Sequence, residues 1–87
     1  MVTLGMDRVQ TGVRMDASIL KVLKGLAEYK DITLGDLLEG ICLHAFEGKA
    51  SFDPSTLEVI AKLRDVYDCR WTTSDSHAAP EADRTHK

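Results

Sequence analysis

The sequence has little that would staple a small fold together. Its two cysteines, Cys42 and Cys69, are too few for a disulfide framework, and no set of cysteines and histidines has the spacing of a four-ligand metal site. No apolar run approaches the roughly 18 residues that a membrane span needs. No basic-then-apolar signal stands at the N-terminus, so a cytoplasmic location is expected. There are no internal repeats. No metal, cofactor or enzymatic activity is expected. A chain of 87 residues forms one domain at most, and a helical domain of this size buries too little surface to be comfortably stable. With disulfides and metals set aside, oligomerisation is the remaining common remedy.

Positive charge is also scarce. The formal charge is −3, which argues against binding nucleic acid over the surface at large and makes the distribution of charge matter more than its sum. Between residues 8 and 30, five basic residues (Arg8, Arg14, Lys21, Lys24, Lys30) face two acidic ones (Asp16, Glu28), a local charge of +3. Most of the acid lies downstream.

What is present is a change of period. In residues 8–15, RVQTGVRM, Val9, Val13 and Met15 alternate with Arg8, Gln10, Gly12 and Arg14. That period of two predicts a short strand over 9–15. Helical spacing follows. Asp16 is a fair N-cap for a helix over 17–30 whose apolar stripe is Ile19, Leu20, Leu23, Leu26 and Ala27. Thr33 caps a second helix over 34–47, with Asp36 in the place of a capping-box acid. Its inward positions are Leu34, Leu37, Leu38, Ile41, Cys42, Ala45 and Phe46, and Gly48 terminates it. Gly40, in mid-helix, is expected to mark a close backbone approach. Asp53 and Pro54 open a third helix over 55–67, with Leu57, Ile60, Leu63 and Tyr67 inward. Cys42 is expected in the core, His44 on the surface, and Tyr67 and Trp71 at the closing end of the core. Residues 72–87 carry no large apolar side chain and are expected to be disordered. The divisions are an N-terminal arm over 1–7, a principal domain over 8–48, a helical extension over 49–71 and a tail over 72–87.

A single strand before an all-helical body leaves its hydrogen-bonding edges unpaired. The simplest partner is the same strand of a second copy, which gives a symmetric antiparallel ribbon. Such a ribbon fits the major groove of DNA, where arginine pairs with guanine and glutamine with adenine.

With VQTG followed by VRMDASILKVLKGLAEYKDITLGDLLEGICLHAF, the chain resembles the ribbon-helix-helix family of bacterial DNA-binding regulators over residues 8–48. The order is an apolar-Arg-apolar strand, a helix with a leucine-rich face, a short turn, and a second helix opened by threonine. The resemblance implies a mainly α homodimer with one short β-strand per chain, to which this sequence adds a C-terminal helix. It implies that Gln10, Gly12 and Arg14 face bases. It also implies that Thr33 and the amides of Leu34 and Gly35 hold a phosphate, which a helix N-terminus favours on physical grounds. Arg8 is assigned to phosphate with them. The implied partners are double-stranded DNA and a second copy of the chain. Gly12 lacks a side chain at the central reading position, and Thr11 occupies an inward position that is usually apolar, so readout would rest on Gln10 and Arg14.

Two rivals compete. A helix-turn-helix built from the first two helices would present Gly35, Asp36, Glu39, Gly40, His44 and Glu47 to the groove, an acidic face that phosphate repels. The other is a protein-interaction module, antitoxin-like or a dimeric adaptor, which uses the third helix and the tail to hold a second protein, with weak or no DNA binding. Ser74, Asp75, Ser76 and His77 include the residue types of a catalytic triad but lie in a tail with nothing to fix their geometry. Cys69, His77 and His86 are too irregularly spaced for a metal site. Arg8 and Arg14 also have a plain reading, as charges that guard an exposed strand against aggregation.

Overall fold

The computed structural model describes residues 7–76. Residues 1–6 of the arm expected over 1–7, and residues 77–87 of the tail expected over 72–87, with His77 and His86, lie outside the described residues. The elements in chain order are α1 (Ala17–Lys30), α2 (Leu34–Phe46), α3 (Pro54–Val66) and the single turn α4 (Thr73–Ser76).

Each long helix begins where a short polar side chain satisfies the free amides of the first turn. Asp16 accepts from Ser18 N and Ile19 N, Thr33 Oγ from Asp36 N at 3.0 Å, and Asp53 from Thr56 N at 2.8 Å, with Pro54 in the first turn. The reciprocal half of the capping box expected at Thr33 is replaced. The Asp36 carboxylate lies 3.5 Å from the guanidinium of Arg8 instead.

All three helices end by the same device, a left-handed residue whose neighbours satisfy the last carbonyls. At the end of α1, Ile32 N bonds Ala27 O and Asp31, at φ 60°, bonds Glu28 O. At the end of α2, Lys49 N bonds His44 O and Gly48, at φ 70°, bonds Ala45 O. At the end of α3, Cys69 N bonds Arg64 O and Asp68, at φ 55°, bonds Asp65 O. Only one of the three left-handed positions is a glycine.

The helix α1 is the centre of the fold and packs on both α2 and α3. The helix α3 runs antiparallel to α1. Lys30 at the end of α1 acts on Asp53 at the start of α3, while Asp16 at the start of α1 meets Trp71 beyond the end of α3. The core is Leu26, Ala27 and Leu37, with Leu23, Ile41, Phe52, Val59, Ile60 and Leu63 packed around it. Leu26 is only 1% exposed, and full burial of such a side chain contributes about 1.5–3 kcal/mol. Val22 is also buried, although it lies off the expected stripe.

Several expectations are corrected. Among the described residues no strand forms, and residues 7–16 have no regular structure. A strand exists only through its ladder partner, and a single chain offers none. Val9 and Val13, expected to lie on the helices, are 77% and 73% exposed. Cys42, Ala45 and Phe46 on α2 are exposed rather than inward. On α3 the buried face runs through Thr56, Val59, Ile60 and Leu63, which turns Leu57 to solvent. Tyr67 and Trp71 are exposed too, and Cys69 is the buried residue at that end. A β-carbon at Gly40 would meet nothing within 4 Å, so no backbone approaches there. The close approach is at Gly25, against Leu63. Residues 73–76, expected to be disordered, form the turn α4, with Asp75 accepting from Thr72 N at 2.8 Å.

Candidate nucleic-acid interface

The candidate site is the segment before α1 together with the start of α2. Gln10, Gly12 and Arg14 are all exposed, and residues 9–15 form no hydrogen bond or ion pair among the described residues. Beneath this segment lies an open cavity of about 620 Å3 lined by Val13, Met15, Leu20, Leu34 and Leu38 among others. Thr11, Gly12 and Arg14 border the same cavity, so polar and apolar residues of the segment both face a space that the chain does not fill.

The segment is anchored at its two ends. At its C-terminal end Asp16 is the α1 cap. Its carboxyl is held below the usual carboxylate range by the Ser18 hydroxyl first, then by the Ile19 amide, with a smaller contribution from the Trp71 indole. At its N-terminal end Arg8 reaches α2. Its Nε donates to Glu39 Oε2 at 2.9 Å, and its Nη2 donates to Glu39 Oε1 at 2.8 Å. This fork-on-fork pairing raises the Arg8 pKa and lowers that of Glu39. Sequence reasoning assigned Arg8 to phosphate and missed Glu39 and Asp36 as its partners. They lie 31 and 28 residues away, and the only signal was complementary charge.

At the start of α2, Thr33, Leu34 and Gly35 form the N-terminal turn. The Thr33 hydroxyl is occupied as the cap, while the amides of Leu34 and Gly35 have no carbonyl four residues back within the helix. The exposed side of α2 remains acidic through Asp36 and Glu47, with Glu39 half-buried under Arg8. That face still disfavours a helix-turn-helix placement in a groove.

Further along α2, an apolar groove of about 340 Å3 is lined by Leu38, Glu39, Cys42, Leu43 and Phe46, and Phe46 is 80% exposed. Adjacent exposed apolar side chains on so small a body are the usual mark of an interaction surface. Among the described residues no group of three or more potential metal ligands comes together, and no helix is long and apolar enough to cross a membrane. Of the residues with triad chemistry, Ser74 and Asp75 are tied to Thr72 within the local turn. No protein-family model, curated protein or solved structure matches the chain.

Proposed function

We propose that the chain is a dimeric, sequence-specific DNA-binding protein, a cytoplasmic transcriptional regulator that lays a two-stranded ribbon in the major groove. In this reading residues 9–15 of two copies pair as antiparallel strands, and the resulting ribbon-helix-helix dimer carries α3 as an addition. One observation supports it best. The segment before α1 is bare along its length, with Val9, Gln10, Val13 and Arg14 all exposed, and its stretch from Thr11 to Met15 borders a cavity that its own helices leave open. A second copy would supply the missing ladder and cover the Leu38–Cys42–Phe46 face of α2. The sequence charge of +3 over residues 8–30 favours phosphate despite the overall acidity.

The roles divide into reading and positioning. Arg14 and Gln10 would reach base edges, and the Thr33–Gly35 turn would hold a phosphate. The test is affinity for a selected and a scrambled DNA duplex at two salt concentrations. Arg14→Ala should cost about 1–3 kcal/mol on the selected duplex and relax preference at one base position per half-site. Thr33→Ala should weaken both duplexes alike. If Arg14→Ala binds both as the parent does, the ribbon is not the reading surface. The second reading, a protein-interaction module, then takes over. It is favoured by Leu57 and Val66, both exposed on α3.

A further inference from the structure

We propose that Arg8 is a positioning residue, which fastens the reading segment to α2 through Glu39 and leaves direct phosphate contact to other groups. The inference rests on the ribbon reading for its consequence, but its geometry stands apart from DNA. The Arg8 guanidinium spends two donors on the Glu39 carboxylate, at 2.9 and 2.8 Å, and its Nη2 lies 3.5 Å from Asp36. One positive charge thus sits between two negative ones. An incoming phosphate would have to displace the Glu39 carboxylate to reach this guanidinium.

The position of the fork gives it an effect. Residues 9–15 make no hydrogen bond among the described residues, yet the chain is held immediately before and after them. Asp16 is fixed as the cap of α1, and Arg8 is fixed on the second turn of α2. A segment held at both ends has fewer conformations to lose when it pairs or binds, and this is the origin of affinity gained by preorganisation. Arginine suits the task because its planar fork matches the carboxylate, whereas lysine offers a single point of charge. The same contact partly cancels Asp36, which lies next to Gly35 at the proposed phosphate site.

The decisive experiment compares Glu39→Gln, Arg8→Gln and the double variant in the full chain, with two readouts. The first is the backbone order parameters of residues 9–15 without DNA, from NMR relaxation. A fastener predicts lower order parameters in both single variants, by a similar amount, with no further decrease in the double variant and an unchanged helical circular dichroism signal. Unchanged order parameters in the single variants overturn the proposal, whether or not the protein binds DNA. The second is affinity for a selected DNA duplex at low salt, where the two roles for Arg8 predict opposite signs. Glu39→Gln removes a negative charge, so if Arg8 bound phosphate directly, losing its competitor would tighten binding. The fastener predicts weaker binding instead, on the order of twofold to fivefold, as expected for losing one exposed ion pair. Tighter binding by Glu39→Gln with weaker binding by Arg8→Gln overturns the proposal. Recovery of the parent order parameters in Arg8→Glu combined with Glu39→Arg supports it. If no variant and no parent binds any duplex, the ribbon reading fails, while the relaxation data still decide the fastener.

Discussion

A β-carbon placed on Gly25 would come within 2.9 Å of Leu63 Cδ2, so the absence of a side chain at Gly25 sets how closely α1 and α3 approach. At Gly40 the same construction meets nothing within 4 Å. The two mid-helix glycines should therefore respond differently to substitution. Gly40→Ala should stabilise by about 0.5–1 kcal/mol, the ordinary gain in a helix interior. Gly25→Ala should be near neutral, since the same gain is offset by moving the end of Leu63. Gly25→Leu should cost about 1–3 kcal/mol through overpacking. Urea denaturation of the three variants checks the order.

The left-handed helix ends give a second prediction. Asp31 and Asp68 hold φ values of 60° and 55°, a region where a β-carbon is strained, and each places an acid at a helix C-terminus where the dipole disfavours it. Asp31→Gly should stabilise by about 0.5–1 kcal/mol. Asp68→Gly should gain less, because it also gives up the Asp68 contact with Arg70. Gly48→Ala, at φ 70°, should destabilise by about 1–2 kcal/mol. Thermal melts rank the three.

Acid should unfold the protein through its caps. Asp16 and Asp53 are held below the usual carboxylate range by the hydroxyls and amides that follow them, and Glu39 by Arg8. In each case the folded pKa lies below the unfolded one. The stabilisation is present above the unfolded pKa, near about 4, and is lost as pH falls through the folded values. Melting temperature should stay level above pH about 5 and fall below about 4. Asparagine caps helices as well as aspartate but does not titrate, so Asp16→Asn with Asp53→Asn should flatten the acid limb and leave the neutral-pH value little changed. An acid limb as steep as the parent's would show that other groups drive the transition.

The exposed face of α2 gives a prediction about assembly. Phe46 is 80% exposed in the single chain, so Phe46→Asp would be harmless if nothing covered it. If a second copy does, the substitution buries a charge at the interface. Sedimentation at micromolar concentration should then show the parent as a dimer, with a melting temperature that rises with protein concentration. Phe46→Asp should be monomeric or unfolded under the same conditions. Val13→Pro should have the same effect by removing a ladder donor from the proposed ribbon. A parent that sediments as a stable folded monomer would end the ribbon model.

Helix positions were legible in the sequence because their causes are local. Asp16, Thr33, Asp53–Pro54 and Gly48 each act within one turn, and the observed bounds fall within a residue of those expected. The burial pattern was less legible. Periodicity names an apolar stripe but not what covers it, so Cys42, Phe46, Leu57 and Tyr67 read as inward on their helices and are exposed in the fold. Gly25 and Gly40 look alike in sequence, and only the antiparallel approach of α3 distinguishes them. The Arg8–Glu39 fork joins residues 31 apart and has no local signature. The strand expected over 9–15 depends on a second backbone, which one chain does not provide.

Trp71 is the sole tryptophan, and it sits against Asp16 at the root of the proposed reading segment, its carbonyl fixed by Arg64 at 2.6 Å. The molecule thus carries one tryptophan probe, placed where the proposed ribbon segment joins α1. The indole is 53% exposed, so its emission should report solvent access at that joint. A shift in the emission maximum when DNA or a partner is added would be a signal from one known position, obtained without any label.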